Sequence, residues 1–339
     1  RRRSLAADTG MAVGIAPRQG ARIRPVFNPL TATIITDLVA GDLLSAAPLA
    51  VDLGNQTYGV DRITIERIIA RLEGSAGADR RHINYEALRS FAKAEVRGPA
   101  APTVEQFYQA LGFAGYEAID INSRYGSLVM DLNLDLEASY GFTKTYDLVV
   151  NTGTSEHVFN QAAFLRNAHT LAKPGGLMVH IVPFTGYINH GFYNYQPNLF
   201  LDLSAANRYE LLRLDLADRN QALGDLTEAG GIASHFLAHL GLIAGNEKGN
   251  SFLVAVLRKR EAGEFVHPCQ GKYLGTLEGK PLTEYYGGQT FTSASRTRPV
   301  VTSAGSAGRG SRAFRTRKKI KKALLRYLRG ASRFVLLRL

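Results

Sequence analysis

Cysteine is nearly absent from this chain: Cys269 is the single one among 339 residues. A lone thiol excludes an internal disulfide framework and a cysteine-based zinc cluster. It fits a reducing compartment and reads as an incidental loop thiol. Long apolar runs are missing as well. No uninterrupted stretch reaches the roughly 18–20 residues that a membrane-spanning helix needs, and the start, "RRRSLAADTG", has no apolar segment of the secretory kind. Acids are missing from Arg296 to Arg338, where 14 Lys and Arg stand.

The formal charge of +12 is therefore uneven. Six arginines face one acid, Asp8, between Arg1 and Arg24. Of 41 Lys and Arg, the two ends take 14 and six, which leaves 21 against 28 acids in the middle, a net of −7. A mildly acidic domain thus carries basic ends, and such ends speak of acidic partners rather than of fold. Residues 1–25 form a basic, irregular extension. Residues 26–262 carry the regular patterns and, at 45% hydrophobic content overall, can bury a sizeable core. Residues 263–311 include "GGQTFTSASRTRPVVTSAGSAGRGSR" and are predicted to be a disordered Gly/Ser/Thr-rich linker. Residues 312–339 regain helical spacing as a basic amphipathic helix, with Leu324, Leu325, Leu328, Phe334, Leu336 and Leu337 interleaved with Lys and Arg. That pattern suits the anionic inner face of a membrane, with apolar side chains down and cations among the headgroups. Nucleic-acid phosphates are the other acidic partner open to it. The expected location is cytoplasmic, peripheral to that membrane.

Within 26–262, apolar runs alternate with amphipathic ones. "PLAVDLG", "YEAIDIN", "SLVMDLN", "YDLVVNTG", "LMVHIVPF", "YELLRLDLAD" and "NSFLVAVLRKR" read as strands. "GVDRITIERIIARLEG", "TVEQFYQALGF", "FNQAAFLRNAHTLAKPGG" and "NLFLDLSAANR" read as helices. Such alternation predicts a parallel α/β sheet. Residues 75–100 are polar, with "GSAGADRR" read as a loop.

Glycine is scarce at the loop after the first strand, "VDLGNQTYGV", and the scarcity narrows the ligand. Gly54 and Gly59 have the separation of a triphosphate loop, but Val60 and Asp61 stand where Lys and Ser/Thr are needed. A dinucleotide loop needs a glycine where Gln56 stands, so that backbone can approach the pyrophosphate. S-adenosylmethionine has no phosphate. Gln56 can reach its amino-acid end, and Asp52 can face its ammonium through water or backbone groups. Asp120 closes the second strand, where a carboxylate can accept from both ribose hydroxyls. Asp131 lies where a third strand approaches the adenine amine.

Taken in order, "VDLGNQTYG", "YEAIDIN", "MDLN", "YDLVVNTGTSEHVFN" and "LAKPGGLMVHIVPF" resemble the successive motifs of class I S-adenosylmethionine-dependent methyltransferases, over roughly residues 45–260. The resemblance implies a Rossmann-like, seven-stranded, mostly parallel sheet with helices on both faces and the last strand antiparallel. It implies a donor site that takes in Gly54, Asn55, Ile121, Leu132, Asn151, Thr152 and Gly153 beside the residues already named. Where the family's motif has a glycine, this chain has Gln56, and the gap from Gly54 to Asp120 is long for the family, which implies an insertion or lid at residues 75–100.

Methyl transfer needs positioning and, for a hydroxyl or amine nucleophile, a base. His157, at the carboxyl end of the fourth strand, is the candidate base, with Glu156 to orient it or bind substrate and His190 as a third catalytic candidate. "GYINHGFYNYQPNLF" follows the fifth strand. Its Tyr187, Tyr193 and Asn194 combine flat apolar faces with hydrogen-bonding tips that suit a sugar or another polar ring. The segment resembles those of methyltransferases of bacterial surface-glycan machinery, which ranks a glycan or small polar acceptor first and O-methylation ahead of N-methylation. The eight histidines show no ligand spacing, and no Asp/Asn cluster accompanies the loops, so no metal is expected. Two alternatives stay open: an RNA methyltransferase that uses the basic ends, and a non-catalytic methyltransferase-like module that recruits partners through its tail.

Overall fold

A computed structural model describes residues 27–75, 82–96, 100–217, 222–225 and 250–270, the segment 222–225 as backbone only. Helix α1 (Pro29–Ala40) comes first. Asn28 caps it by accepting from the Thr31 amide, and Pro29 fills the first helical position, where no backbone donor is needed. Strand β1 (Leu49–Leu53) follows, then α2 (Arg62–Gly74), capped by Asp61 through the Thr64 amide. Helix α3 (Tyr85–Phe91) and α4 (Val104–Ala110) lead into β2 (Gly115–Asp120). Thr103 and Gln106 form a reciprocal capping box on α4, which satisfies two amides the helix cannot pair itself.

The chain continues through β3 (Leu128–Val129), α5 (Leu136–Tyr140), β4 (Tyr146–Thr152), α6 (Gln161–Leu171) and β5 (Ala172–Thr185). Helix α7 (Pro197–Ala206), β6 (Glu210–Ala217), β7 (Ala222–Asp225) and β8 (Ser251–Arg258) complete it. One sheet holds all these strands in the order β3-β2-β1-β4-β5-β8-β6-β7. Strands β1 to β5 pair in parallel, and β8 runs antiparallel between β5 and β6.

Side chains alternate across this sheet, as a strand's period of two requires. Ala50, Leu148, Val150, Val179 and Val254 face one core with α1, α2, α3 and α4. Val51, Val149, Met178, Leu253 and Ala255 face a second core with α5, α6 and α7. Burial on both faces explains why the strands read as continuous apolar runs.

One feature departs from the sequence reading. A short strand, β7, extends the expected seven to eight by pairing antiparallel with β6. Its sequence, "ALGD", is too short and too polar to announce itself. Residues 75–100 contain α3, whose Leu88 is fully buried in the core shared with α2 and α4. The basic N-terminal extension, most of the linker and the whole C-terminal helix lie outside the described residues.

Candidate active site

Strands β1 and β4 are neighbours, yet the chain leaves them toward opposite edges of the sheet. Their carboxyl ends therefore bound the crevice in which open α/β sheets hold ligands. Gly54 leaves β1 at φ +94°, a region that side chains avoid, and its amide donates to the Ile119 carbonyl at 2.7 Å. A β-carbon at this position would run into the side chain of Thr154, with Cγ2 at 2.8 Å, so the β1 and β4 loops touch here.

The next residues tie this loop to β2. The Asn55 amide donates to Asp120 Oδ2 at 2.8 Å, and Asn55 Nδ2 donates to Asn122 Oδ1 at 2.8 Å. Asp120 Oδ1 accepts from the Asn122 amide at 3.2 Å and from Asn122 Nδ2 at 2.6 Å. A carboxylate offers about four lone-pair sites, so the half-buried Asp120 keeps capacity for a ligand hydroxyl. Ile121 beside it is 72% exposed and presents an apolar platform. Asp131 is half-buried, and its Oδ1 accepts from the amide and the side chain of Asn133, each at 2.8 Å.

Gln56 is buried across the crevice floor. Its Nε2 donates to the Thr152 carbonyl at 3.2 Å, while its Oε1 has no partner, and neither has the buried Thr152 Oγ1. Gly153 turns at φ +68° just above them. Unsatisfied buried polar atoms cost about 1–3 kcal/mol each. Two of them stand at the junction of β1 and β4.

Three expected donor residues have buried side chains. Asp52 offers no surface to a ligand: it is fully buried, and its two oxygens accept from Tyr108 and Tyr116 hydroxyls at 3.0 Å each. Burial pushes its carboxyl from an ordinary 3.8 up to about 7, against the lowering effect of the two tyrosines. Any influence of Asp52 on a ligand passes through that buried node. Asn151 points into the second core, where its Nδ2 donates to Ser155 Oγ at 2.9 Å and lies 3.2 Å from Nδ1 of the buried His180. Leu132 is likewise turned inward, packed with α5 and α6. Alternation along β1 and β4 turns Asp52 and Asn151 inward, whereas Leu132 lies in the turn after β3.

On the other side of β4, a 3-10 turn (Ser155–His157) presents Glu156 and His157. Glu156 is only 1% exposed, and neither carboxylate oxygen accepts a hydrogen bond from another residue. Burial pushes its carboxyl up to about 7. The segment after β5 folds over it. The Phe192 amide donates to the Glu156 carbonyl at 2.7 Å, and a β-carbon on Gly191 would sit 2.8 Å from that oxygen. This close approach sets His190 Nε2 at 3.5 Å from Glu156 Oε1 and stacks its ring edge-on to His157, centroids 4.9 Å apart. Burial and the neighbouring His190 lower the His157 pKa, which favours a neutral imidazole. The three expected catalytic residues thus meet.

The expected acceptor residues lie on the segment that carries His190. Tyr187, at φ +51°, packs its ring on His190 and Phe252. Tyr193 donates to the Phe159 carbonyl at 2.9 Å and Asn194 to the Gly186 carbonyl at 3.2 Å, so both also hold the loop's shape. Sequence reasoning did not select Phe159 and Phe192, whose exposed rings meet at 6.0 Å, or the exposed Ile188. These apolar side chains, open to solvent beside a polar cluster, were hidden among the many apolar residues of the segment.

A family model described as a methyltransferase domain matches residues 52–230, more than half of the chain. The chain belongs to this family, and its sheet is the Rossmann-like sheet of class I methyltransferases. Solved structures similar to it include the 1,6-didemethyltoxoflavin-N1-methyltransferase of Burkholderia thailandensis, crystallised with 1,6-didemethyltoxoflavin and S-adenosylhomocysteine. The identity is 12% and the TM-score 0.34, over 69% of this chain and 78% of that one. The O-methyltransferase of a trans-AT PKS multienzyme of Brevibacillus brevis is 12% identical, with a TM-score of 0.32 over 68% of this chain and 74% of that one. An S-adenosylmethionine-dependent methyltransferase of Thiobacillus denitrificans is 13% identical, with a TM-score of 0.31 over 70% and 95%. No curated protein matches the chain.

Proposed function

We propose that this chain transfers a methyl group from S-adenosylmethionine to a hydroxyl of a small polar molecule or glycan. The observation that carries the reading is the meeting of Glu156, His157 and His190 at the carboxyl edge of β4, beside the crevice that Gly54, Gln56 and Asp120 build. The donor fits what this chain offers. Gln56 Oε1 and Thr152 Oγ1 lack partners and can accept from an ammonium, Asp120 retains acceptor capacity for ribose hydroxyls, and Ile121 gives an adenine-sized apolar face. Gln56 stands where a dinucleotide loop needs a glycine for the pyrophosphate, which disfavours a dinucleotide.

S-adenosylmethionine supplies a methyl group made electrophilic by its sulfonium. The protein has to orient the acceptor and remove its proton. His157, held neutral, can take a hydroxyl proton at a ring nitrogen, and the buried Glu156 carboxylate favours the resulting cation. The phenol ring of Tyr187 and the exposed rings of Phe159 and Phe192 give the acceptor a flat apolar bed. Two histidines and a carboxylate favour a hydroxyl over an amine, because a neutral amine reacts without a strong base.

The test is transfer of labelled methyl from S-adenosylmethionine to a panel of sugars, amines and RNA. Label on a sugar oxygen, reduced about 10²–10⁴-fold by His157→Ala, is expected. Label on RNA or amines alone overturns the acceptor assignment.

A further inference from the structure

We propose that Glu156, His157 and His190 form a binding site for one divalent first-row transition ion, with three protein ligands and an open position on the acceptor side. Each of these residues offers a ligand atom, and the three atoms all lie within 4.8 Å of one another. Tetrahedral ligands at the usual zinc distances of about 2.0–2.1 Å stand about 3.3 Å apart. Glu156 Oε1 and His190 Nε2, at 3.5 Å, already have nearly that spacing. His157 and His190 are exposed enough for small rotations to close the rest.

The independent observation is Glu156 itself. It is 99% removed from solvent, and both of its oxygens lack a hydrogen-bond donor from another residue. A charge left in that condition is costly, and proteins relieve it by protonation, by pairing or by coordinating a metal. The arrangement is also built rather than incidental. The His190 loop is fixed to the Glu156 backbone by the Phe192 amide at 2.7 Å, and Gly191 permits an approach that any side chain would block. Two imidazoles with one carboxylate select zinc, cobalt, nickel, manganese or ferrous ions over magnesium or calcium, which prefer all-oxygen sets.

Three protein ligands leave a position for an outside oxygen, the arrangement of catalytic rather than structural zinc sites. An acceptor hydroxyl held there would be acidified and would lose its proton to solvent; the electron pair kept on oxygen would form the new O–CH3 bond as the S–CH3 bond breaks and sulfur leaves with the pair of the broken bond as S-adenosylhomocysteine. In the loaded form the histidines hold the ion instead of taking the proton. This use of the ion rests on the methyl-transfer reading; the binding itself does not.

The experiment is calorimetric titration of the full, chelator-treated chain with Zn²⁺, and separately with Co²⁺ while the visible spectrum is followed. One site per chain is expected, with a cobalt absorption band. Affinity should fall at least tenfold in His190→Ala and in Glu156→Gln, and stay unchanged in His267→Ala. No saturable binding, or equal binding by His190→Ala and the parent, overturns the site. The same samples are titrated with S-adenosylhomocysteine. Nucleoside binding without metal binding sinks the ion alone, whereas loss of nucleoside binding by the parent sinks the methyl-transfer reading and leaves the metal result standing.

Discussion

Asp52 sits where the family's first motif meets the donor crevice, yet the structure seals it away. That contrast yields a quantitative prediction. The carboxyl rises from an ordinary 3.8 to about 7 because burial penalises its charge. In the unfolded chain the group is ionised above about pH 4. In the folded chain it stays protonated up to about 7. Between these values the folded state binds the extra proton, so stability is greatest below about pH 4 and falls as pH rises toward 7. Each pH unit is worth about 1.4 kcal/mol. From pH 5 to pH 8 Asp52 alone should therefore remove about 3 kcal/mol, since its contribution levels off near 7. Asp52→Asn keeps the shape and cannot ionise. Urea denaturation of parent and variant at several pH values measures the difference, and other titrating groups cancel between them. The variant should gain on the parent by about 3 kcal/mol over that interval. Parallel stability curves would refute the claim that Asp52 is buried without a compensating cation.

Gly54→Ala forces a left-handed backbone region on a side chain, at about 1–2 kcal/mol, and drives its β-carbon into Thr154, at about 1–3 kcal/mol more. Thermal denaturation should show that loss together with weakened nucleoside binding. Gly191→Ala is expected to push the His190 loop off Glu156 and to lower methyl transfer more than S-adenosylhomocysteine affinity, which a comparison of turnover and calorimetry separates. Removing residues 296–339 should abolish binding to anionic liposomes while nucleoside affinity stays; unchanged liposome binding rejects a membrane role for the tail.

Much of the frame was legible because burial on both faces writes itself as unbroken apolar runs: "YDLVVNTG" became β4 and "LMVHIVPF" the buried centre of β5. One cap was legible too, since Thr103 precedes its helix at the right spacing, whereas Asp61 was not singled out. The spacing of Ile63, Ile65, Ile68, Ile69 and Leu72 reads as one buried stripe on α2, which holds only in part. Ile65, Ile68 and Leu72 are buried, but Ile63 points to solvent at 60% exposure. Asp120 was placed by its position at a strand end, whereas its partners Asn55 and Asn122 depend on a turn that no periodicity encodes. The burial of Asp52 under Tyr108 and Tyr116 could not be read, because those rings arrive from α4 and β2, 56 and 64 residues away. Glu156, His157 and His190 were each picked for their chemistry. Their meeting depends on the crossover that returns the chain beside β4, and adjacent Glu-His followed by a distant His has no ligand spacing to recognise.

The central claim is that the crevice between β1 and β4 holds S-adenosylmethionine. Calorimetric titration of the full chain with S-adenosylmethionine and S-adenosylhomocysteine tests it most directly, with NAD as control and Asp120→Ala beside the parent. Saturable binding of both sulfur compounds at one site, weakened at least tenfold by the substitution and absent for NAD, is the result the structure predicts. Failure of both to bind, or binding indifferent to Asp120, would contradict it.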